Sequence, residues 1–287
     1  MRIAITSDLH LFPRWIAQIK ALAEQLAALE PDVMILAGDT GEPLDMFMQG
    51  LALFKSVSKR RAAVAGNHDV WHRVGDHSSE LLWQSLLAEA AEVYGYTWLE
   101  NENLVIDGLG ICGSLAWYDY GGRHPELEFD LAFYEFVKNQ VSNDANYVDW
   151  PWTDQEFASA IGDAFLARLD ALQTNESISD VLVATHVPLF RECVRPVENL
   201  LQGIANAYYA NVSLGEAVVK RHKVRAIISG HVHQDTRLTI TSQNGHHHEI
   251  KAYTNPSDYG SPAALLLDTD TWEVETLRMP AKQAKTA

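Results

Sequence analysis

The sequence predicts an α/β fold, and three observations carry that expectation. Short apolar runs of strand length alternate with helical patterns through most of the chain. Those runs are continuously apolar, as strands buried on both faces are. From about Arg237 the pattern changes to alternation of polar and apolar residues, which marks antiparallel strands.

In order, "RIAIT" (2–6) is a buried strand that stops at Ser7-Asp8. "WIAQIKALAEQLAALE" (15–30) has apolar residues at helical spacing and ends before Pro31. "DVMILAG" (32–38), a helix over 44–57 and "AAVAGN" (62–67) repeat the pattern. Such alternation implies a parallel sheet with right-handed crossovers. A helix over 78–95 follows, started by Ser78 or Ser79 and stopped by Gly95. "NLVIDGLGICGS" (103–114) predicts a hairpin turning at Asp107-Gly108. A helix over 155–173, the strand "DVLVAT" (180–185), a helix over 214–222 and the strand "VRAIIS" (224–229) come next. The tail segments "RLTIT", "EIKAYT", "AALLLD" and "WEVETL" predict antiparallel strands. Residues 117–153 stand apart, rich in aromatics and acids with Gly-Gly and Pro breaks. They predict an insert or cap, read either as an ordinary packed subdomain or as the wall of a substrate pocket.

The whole-chain properties exclude several classes. No apolar stretch approaches the roughly 18 residues of a membrane span. Cys112 and Cys193 sit far apart among apolar neighbours and are expected to be buried free thiols. With no signal-peptide pattern at "MRIAITSD", a cytoplasmic location is expected. The net charge of −16 repels nucleic acid and anionic membranes at long range. That disfavours a nucleic-acid partner, although a local basic groove is compatible with an acidic total.

The polar breaks fall at one kind of place. Asp8 and His10 follow the first strand, Asp39 the second, and Asn67, His68 and Asp69 the third. His186 follows "DVLVAT", and His231 and His233 follow "VRAIIS". In an open α/β sheet, ligands bind at the carboxyl ends of the strands. Each motif alone is weak, but the ordered set is not. Two carboxylates, four imidazoles and an amide oxygen form a mixed O/N donor set without thiolate. Such a set suits Mn, Fe, Zn, Co or Ni and is poor for Cu(I) or iron–sulfur clusters. It exceeds one tetrahedral site and fits two divalent ions sharing a bridging carboxylate, roughly 3.5–4 Å apart. Mn is the favoured ion.

Together "SDLH", "GDT", "GNHD", "THVP" and "GHVH" resemble the five ordered motifs of the calcineurin-like metallophosphoesterase superfamily. The resemblance covers residues 3 to about 278 and implies one four-layer αββα domain over 1–280, two facing mixed sheets flanked by helices. Residues 281–287 are expected to be a flexible tail. It further implies Asp8, His10 and His233 on one metal, Asn67, His186 and His231 on the other, and Asp39 bridging. A hydroxide held between the metals would attack phosphorus, and His68 would protonate the leaving group. His68 needs a carboxylate to hold its tautomer. Glu42, where many members have Asp, is favoured over the neighbouring Asp69.

The stretch "GDTGEPL" lacks the arginine of the Ser/Thr protein phosphatases, which argues against that activity. "THVPLF" matches the His-x-Pro of related phosphodiesterases. The expected activity is hydrolysis of small phosphate esters, by a phosphodiesterase or a phosphatase, with monoester or diester preference open. The alternatives are a nuclease of the same superfamily and a non-catalytic scaffold with this fold. Substrate contacts are expected among His72, Trp117, Tyr118, Arg191, Arg195 and Tyr259. "GHHHE" (245–249) is read as solvated loop rather than a metal tract.

Overall fold

A computed structural model describes residues 1–73, 75–242 and 248–281. His246 and His247 of the histidine tract, and 282–287 of the expected tail, lie outside them. The strands are β1 (Arg2–Thr6), β2 (Val33–Ala37), β3 (Arg60–Val64), β4 (Thr97–Trp98), β5 (Leu104–Ile106) and β6 (Leu109–Ser114). They continue with β7 (Asp180–Thr185), β8 (Val224–Ser229), β9 (Arg237–Thr241), β10 (Glu249–Thr254), β11 (Ala263–Asp268) and β12 (Glu273–Arg278). They form two six-stranded mixed sheets, ordered β12-β11-β1-β2-β3-β4 and β5-β6-β7-β8-β10-β9.

Side chains alternate across each sheet and both faces are covered, which explains the uninterrupted apolar runs. Ile3, Ile5 and Ile35 of one sheet meet Ile111, Leu182 and Ile228 of the other in a shared core. Ala4, Met34, Val183 and Ile227 face the helix layers. Each buried Ile, Leu, Val or Met side chain contributes roughly 1.5–3 kcal/mol by leaving water. One expectation needs correcting. The tail strands are not all antiparallel, because the β9–β10 hairpin turns β10 back to lie parallel to β8. The tail also divides, with β11 joining β1 in the first sheet.

Helices α1 (Ile16–Ala28) and α2 (Leu44–Phe54) flank the first sheet's strands in sequence. The helix expected over 78–95 is divided into α3 (Ser79–Leu81), a wide turn over Leu82–Leu86 and α4 (Leu87–Val93). Leu82 and Leu87, five residues apart, are both buried. A π-type turn lets that spacing share one face, where a regular helix would not. Residues 117–153 leave the second sheet between β6 and its parallel neighbour β7, and carry α5 (Leu131–Val141) and α6 (Asn143–Tyr147). They lead into α7 (Asp154–Thr174), which opens with a capping box between Thr153 and Glu156. Asp154 anchors the stretch by accepting from Trp117 Nε1 (2.8 Å) and pairing with Lys138 (2.9 Å). Two short helices, α8 (Leu200–Ala205) and α9 (Val212–Val218), precede β8. The helix expected over 214–222 begins earlier because Asn211 caps it, accepting from Leu214 N at 3.0 Å. Cys112 and Cys193 are buried and unbridged. No helix among the described residues is long and apolar enough to cross a membrane.

One acid joins the two sheets. Glu100 accepts from Ala65 N just after β3 (3.3 Å) and from Leu115 N just after β6 (2.5 Å). Burial pushes its pKa up to about 7, against the opposing pull of Arg168. The folded state therefore holds a proton between about pH 4.5 and 7 that the unfolded chain has released. The contribution of this group to stability falls as pH rises through that window. Glu100→Gln keeps an acceptor oxygen and removes the titration. Denaturant midpoints measured at pH 5 and pH 8 should show the variant gaining on the wild type at the higher pH, by about 1–3 kcal/mol. A difference that does not change with pH would exclude this role for Glu100.

Candidate metal centre

The first three parallel strands of one sheet and β7 and β8 of the other end at a common edge. The backbone there is unusual. Asp8, His10, Asp39, His231 and His233 all have left-handed φ, between +42° and +70°. For residues other than glycine this costs on the order of 1–3 kcal/mol each. Hydrogen bonds between the loops sustain it, including Asp8 N to Gly38 O (3.0 Å), His10 N to Asp39 O (2.9 Å) and Gly230 N to His186 O (2.9 Å). Two glycines permit the crowding. A Cβ on Gly66 would lie 2.1 Å from Asp39 Oδ1, and one on Gly230 would lie 2.6 Å from Asp8 Oδ2.

All seven residues of the expected donor set meet here. Asp39 is buried, with Oδ1 3.3 Å from His186 Nε2 and Oδ2 3.7 Å from His10 Nε2. On one side, His233 Nε2 lies 3.4 Å from Asp8 Oδ1 and 3.3 Å from His10 Nε2. On the other, Asn67 Oδ1 lies 3.0 Å from both His186 Nε2 and His231 Nδ1. Donor atoms of Asp8, His10 and His233, and likewise of Asp8, Asp39 and His186, fall within 4.8 Å of one another. His68 joins His10 and Asp39 in a third such group.

The donors fit divalent cations. Carboxylate oxygen, imidazole nitrogen and amide oxygen without thiolate are the donors such ions take, and His10 Nε2 and His231 Nδ1 are the ring nitrogens turned toward the cluster. Burial, reinforced by His68 for His10 and by His186 for His231, lowers both pKa values to about 3, leaving neutral imidazoles. Burial would raise Asp39, but His186 and His68 hold it well below the usual carboxylate range. Burial would likewise lower His186, yet Asp39 outweighs it and lifts the pKa to about 10. A cation would compete for that proton, since metal binding releases protons from its ligands. His186 Nδ1 lies 3.0 Å from Ala37 O, and His233 Nδ1 3.1 Å from Asp258 Oδ1. These outer contacts orient the rings, as they do for metal-binding histidines.

His68 stands at the open side, its ring stacked on Trp71 at 3.5 Å. Its Nδ1 is 3.8 Å from Glu42 Oε2, and Glu42 is held by Arg73 at 2.8 Å. Burial would lower the His68 pKa, but Asp39 and Glu42 raise it. Asp69 faces elsewhere, accepting from Gly41 N (3.0 Å) and Gly66 N (2.8 Å). Burial and the charge of Asp39 push it up to about 7.

The centre floors a cavity of about 600 Å³. Val141 to Asp144, from the stretch between β6 and α7, form one wall, and residues from Asn199 to Tyr209 another. Of the expected substrate contacts, Tyr259 lines it, stacked on His10 at 4.2 Å, and so does Arg195. His72, Trp117 and Arg191 do not line it. Trp117 is fully buried against α7, His72 turns toward His77 O (3.1 Å) and Asp149, and Arg191 bonds Gly121 O (2.9 Å). Tyr118 is buried with its hydroxyl on Asp144. Sequence reasoning missed Asp144, Trp71, Tyr209 and Asp258. Only Asp258, in "NPSDYG" beside Tyr259, had a local signal.

The calcineurin-like phosphoesterase family model matches residues 1–235, and the chain belongs to that family. Solved structures agree on the fold. The phosphopantetheinyl hydrolase of Mycobacterium tuberculosis superposes with a TM-score of 0.68 at 19% identity, covering 88% of this chain and 87% of its own. A dimetal phosphatase from Danio rerio gives 0.51 at 14% identity, covering 98% and 99%. Among curated proteins, none matches the chain.

Asp39→Asn removes the charge that His186, His10 and His68 surround. Metal content measured after reconstitution with Mn²⁺ should fall, with affinity at least ~10-fold weaker. Retention of two tightly bound ions would show that Asp39 is dispensable to the centre.

Proposed function

We propose that the protein is a dinuclear metal-dependent phosphoesterase acting on small phosphate esters. The observation that carries this reading is the convergence of seven O and N donors from five strand ends, four of which, Asp39, Asn67, His231 and His233, line one cavity. Asp8, His10 and His233 would hold one ion, and Asn67, His186 and His231 the other, with Asp39 between them. Such ions supply Lewis acidity toward a phosphoryl group and a water of lowered pKa.

The chain's own residues do the rest. His68 faces the cavity and holds a proton for the leaving-group oxygen. Glu42 sits behind its Nδ1, and the Trp71 ring fixes its plane. Arg195, at the cavity wall with Nε bonded to Val232 O at 3.3 Å, is placed to contact phosphate oxygen. Tyr259 closes the floor over His10 and limits water there. A volume of about 600 Å³ leaves space beyond a phosphate for an organic group. A nuclease would want cations along an extended groove, whereas this cavity is lined by Asp144 and Asp258 as well as Arg195.

The test begins with metal-free protein supplied with Mn²⁺ and assayed on bis-p-nitrophenyl phosphate beside p-nitrophenyl phosphate. Metal-dependent cleavage that disappears in Asp39→Asn supports the reading, and the preferred ester assigns the class. No cleavage of either by the metal-loaded protein counts against it. His68→Ala should keep both ions and lose about 10²–10⁴ in turnover, most on esters with poor leaving groups. Loss of an ion in that variant would make His68 a ligand rather than the acid.

A further inference from the structure

We infer that Asp144, delivered by the insert, is a positioning residue that fixes the Asn67 amide and the Trp71 ring beneath His68. The inference rests on the two-ion reading of the centre. Asp144 lies in α6, buried at 5% exposure, and its side chain accepts from the neutral donors of Asn67, Trp71 and Tyr118. Its Oδ1 accepts from Asn67 Nδ2 at 2.8 Å and from Trp71 Nε1 at 2.7 Å. Its Oδ2 accepts from Tyr118 at 3.2 Å. A carboxylate removed from water needs such donors, because an unmet buried charge is strongly unfavourable.

The direction of the amide follows. An asparagine side chain donates from one end and accepts at the other, while a carboxylate only accepts. With Asp144 on one side, Asn67 must turn its NH₂ there. Its oxygen is then aimed at the space between His186 and His231, 3.0 Å from a nitrogen of each. The reverse rotamer would set oxygen against carboxylate and turn the NH₂ toward the ion. Asp144 therefore presents Asn67 as a ligand.

The same Oδ1 also fixes Trp71, whose ring stacks on His68 with centroids 3.5 Å apart. One oxygen thus orients both a member of the donor set and the platform of the acid. The insert reaches the far side of His68 as well. Tyr147 O accepts from His72 N at 2.6 Å, and the Tyr147 ring lies 4.6 Å under the Arg73 guanidinium that holds Glu42. Residues 117–153 are accordingly part of the centre's support as well as a wall of its cavity.

Two variants with the same branched shape and number of side-chain heavy atoms separate this role from packing. Asp144→Asn keeps an acceptor for Asn67 and Trp71, and Asp144→Leu does not. Mn²⁺ binding to the full chain is measured by titration calorimetry, with the electron paramagnetic resonance of the coupled ion pair and the melting temperature alongside. The wild type should bind two ions with a coupled signal. Asp144→Leu should keep the first and bind the second about 10–100-fold more weakly, with uncoupled Mn²⁺ appearing. Asp144→Asn should bind the second within a few-fold of wild type.

Two ions bound normally by the leucine variant would overturn the inference, and so would equal weakening in both variants. If the leucine variant does not fold, Asn67→Asp decides. It sets a second carboxylate against Asp144, and adding Asp144→Asn should restore the second ion. No difference between that single and double variant would overturn the inference. A wild type that binds fewer than two ions would instead remove the reading on which it rests.

Discussion

The carboxylate of Asp39 is the constraint around which the rest is arranged. It is buried at the end of β2, between the two sheets, where an unmet charge is not tolerated. Its neighbours are imidazoles from three other segments, His10, His68 and His186, together with the backbone N–H of His68 at 2.8 Å. No neighbour by itself satisfies the charge. The sheets must therefore close with strand ends aligned, because His186 comes from the second sheet and Asp39 from the first. A pair of ions at this place would answer the same charge with the same ligands.

Closing the strand ends so tightly has a conformational cost. Five of the donor residues sit in left-handed backbone, which native packing sustains only when the surroundings determine it fully. The inter-sheet core supplies that determination. Ile3, Ile35, Leu182 and Ile228 lie on the very strands that deliver Asp8, Asp39, His186 and His231. Stability gained in the sandwich is thus held as strain at its rim. That strain aims side chains at a common point instead of along their strands.

The aromatic, acidic stretch between β6 and α7 adds the second level of order. It is fixed to the fold by Asp154, which opens α7, through Trp117 and Lys138. It then places Asp144 and Tyr147 against the loop that follows β3. The cavity wall and the support of the centre are consequently one element. A change in the length of this stretch would alter both the space for substrate and the orientation of Asn67.

The convergence of the expected donor residues was legible in the sequence because every one of them follows one of five strands by a few residues. A buried run that ends in a polar residue is a local signal, and sheet geometry aligns such ends without long-range information. Strand positions were legible for the same reason, down to "DVLVAT" and "VRAIIS". What the chain brings to those ends from elsewhere had little local signal beyond "NPSDYG". Tyr259 reaches His10 because antiparallel pairing of β11 with β1, Thr6 against Ala264, returns the chain to that rim. Trp117 stands equally near a strand end in sequence, yet its indole turns to Asp154 and leaves the cavity. Asp144 meets Asn67 across 77 residues, a contact that no periodicity encodes. Sequence alone determined which groups could hold the ions, because secondary structure is local. Only tertiary packing decided which groups orient them and shape the cavity, because those partners meet only when distant segments fold together.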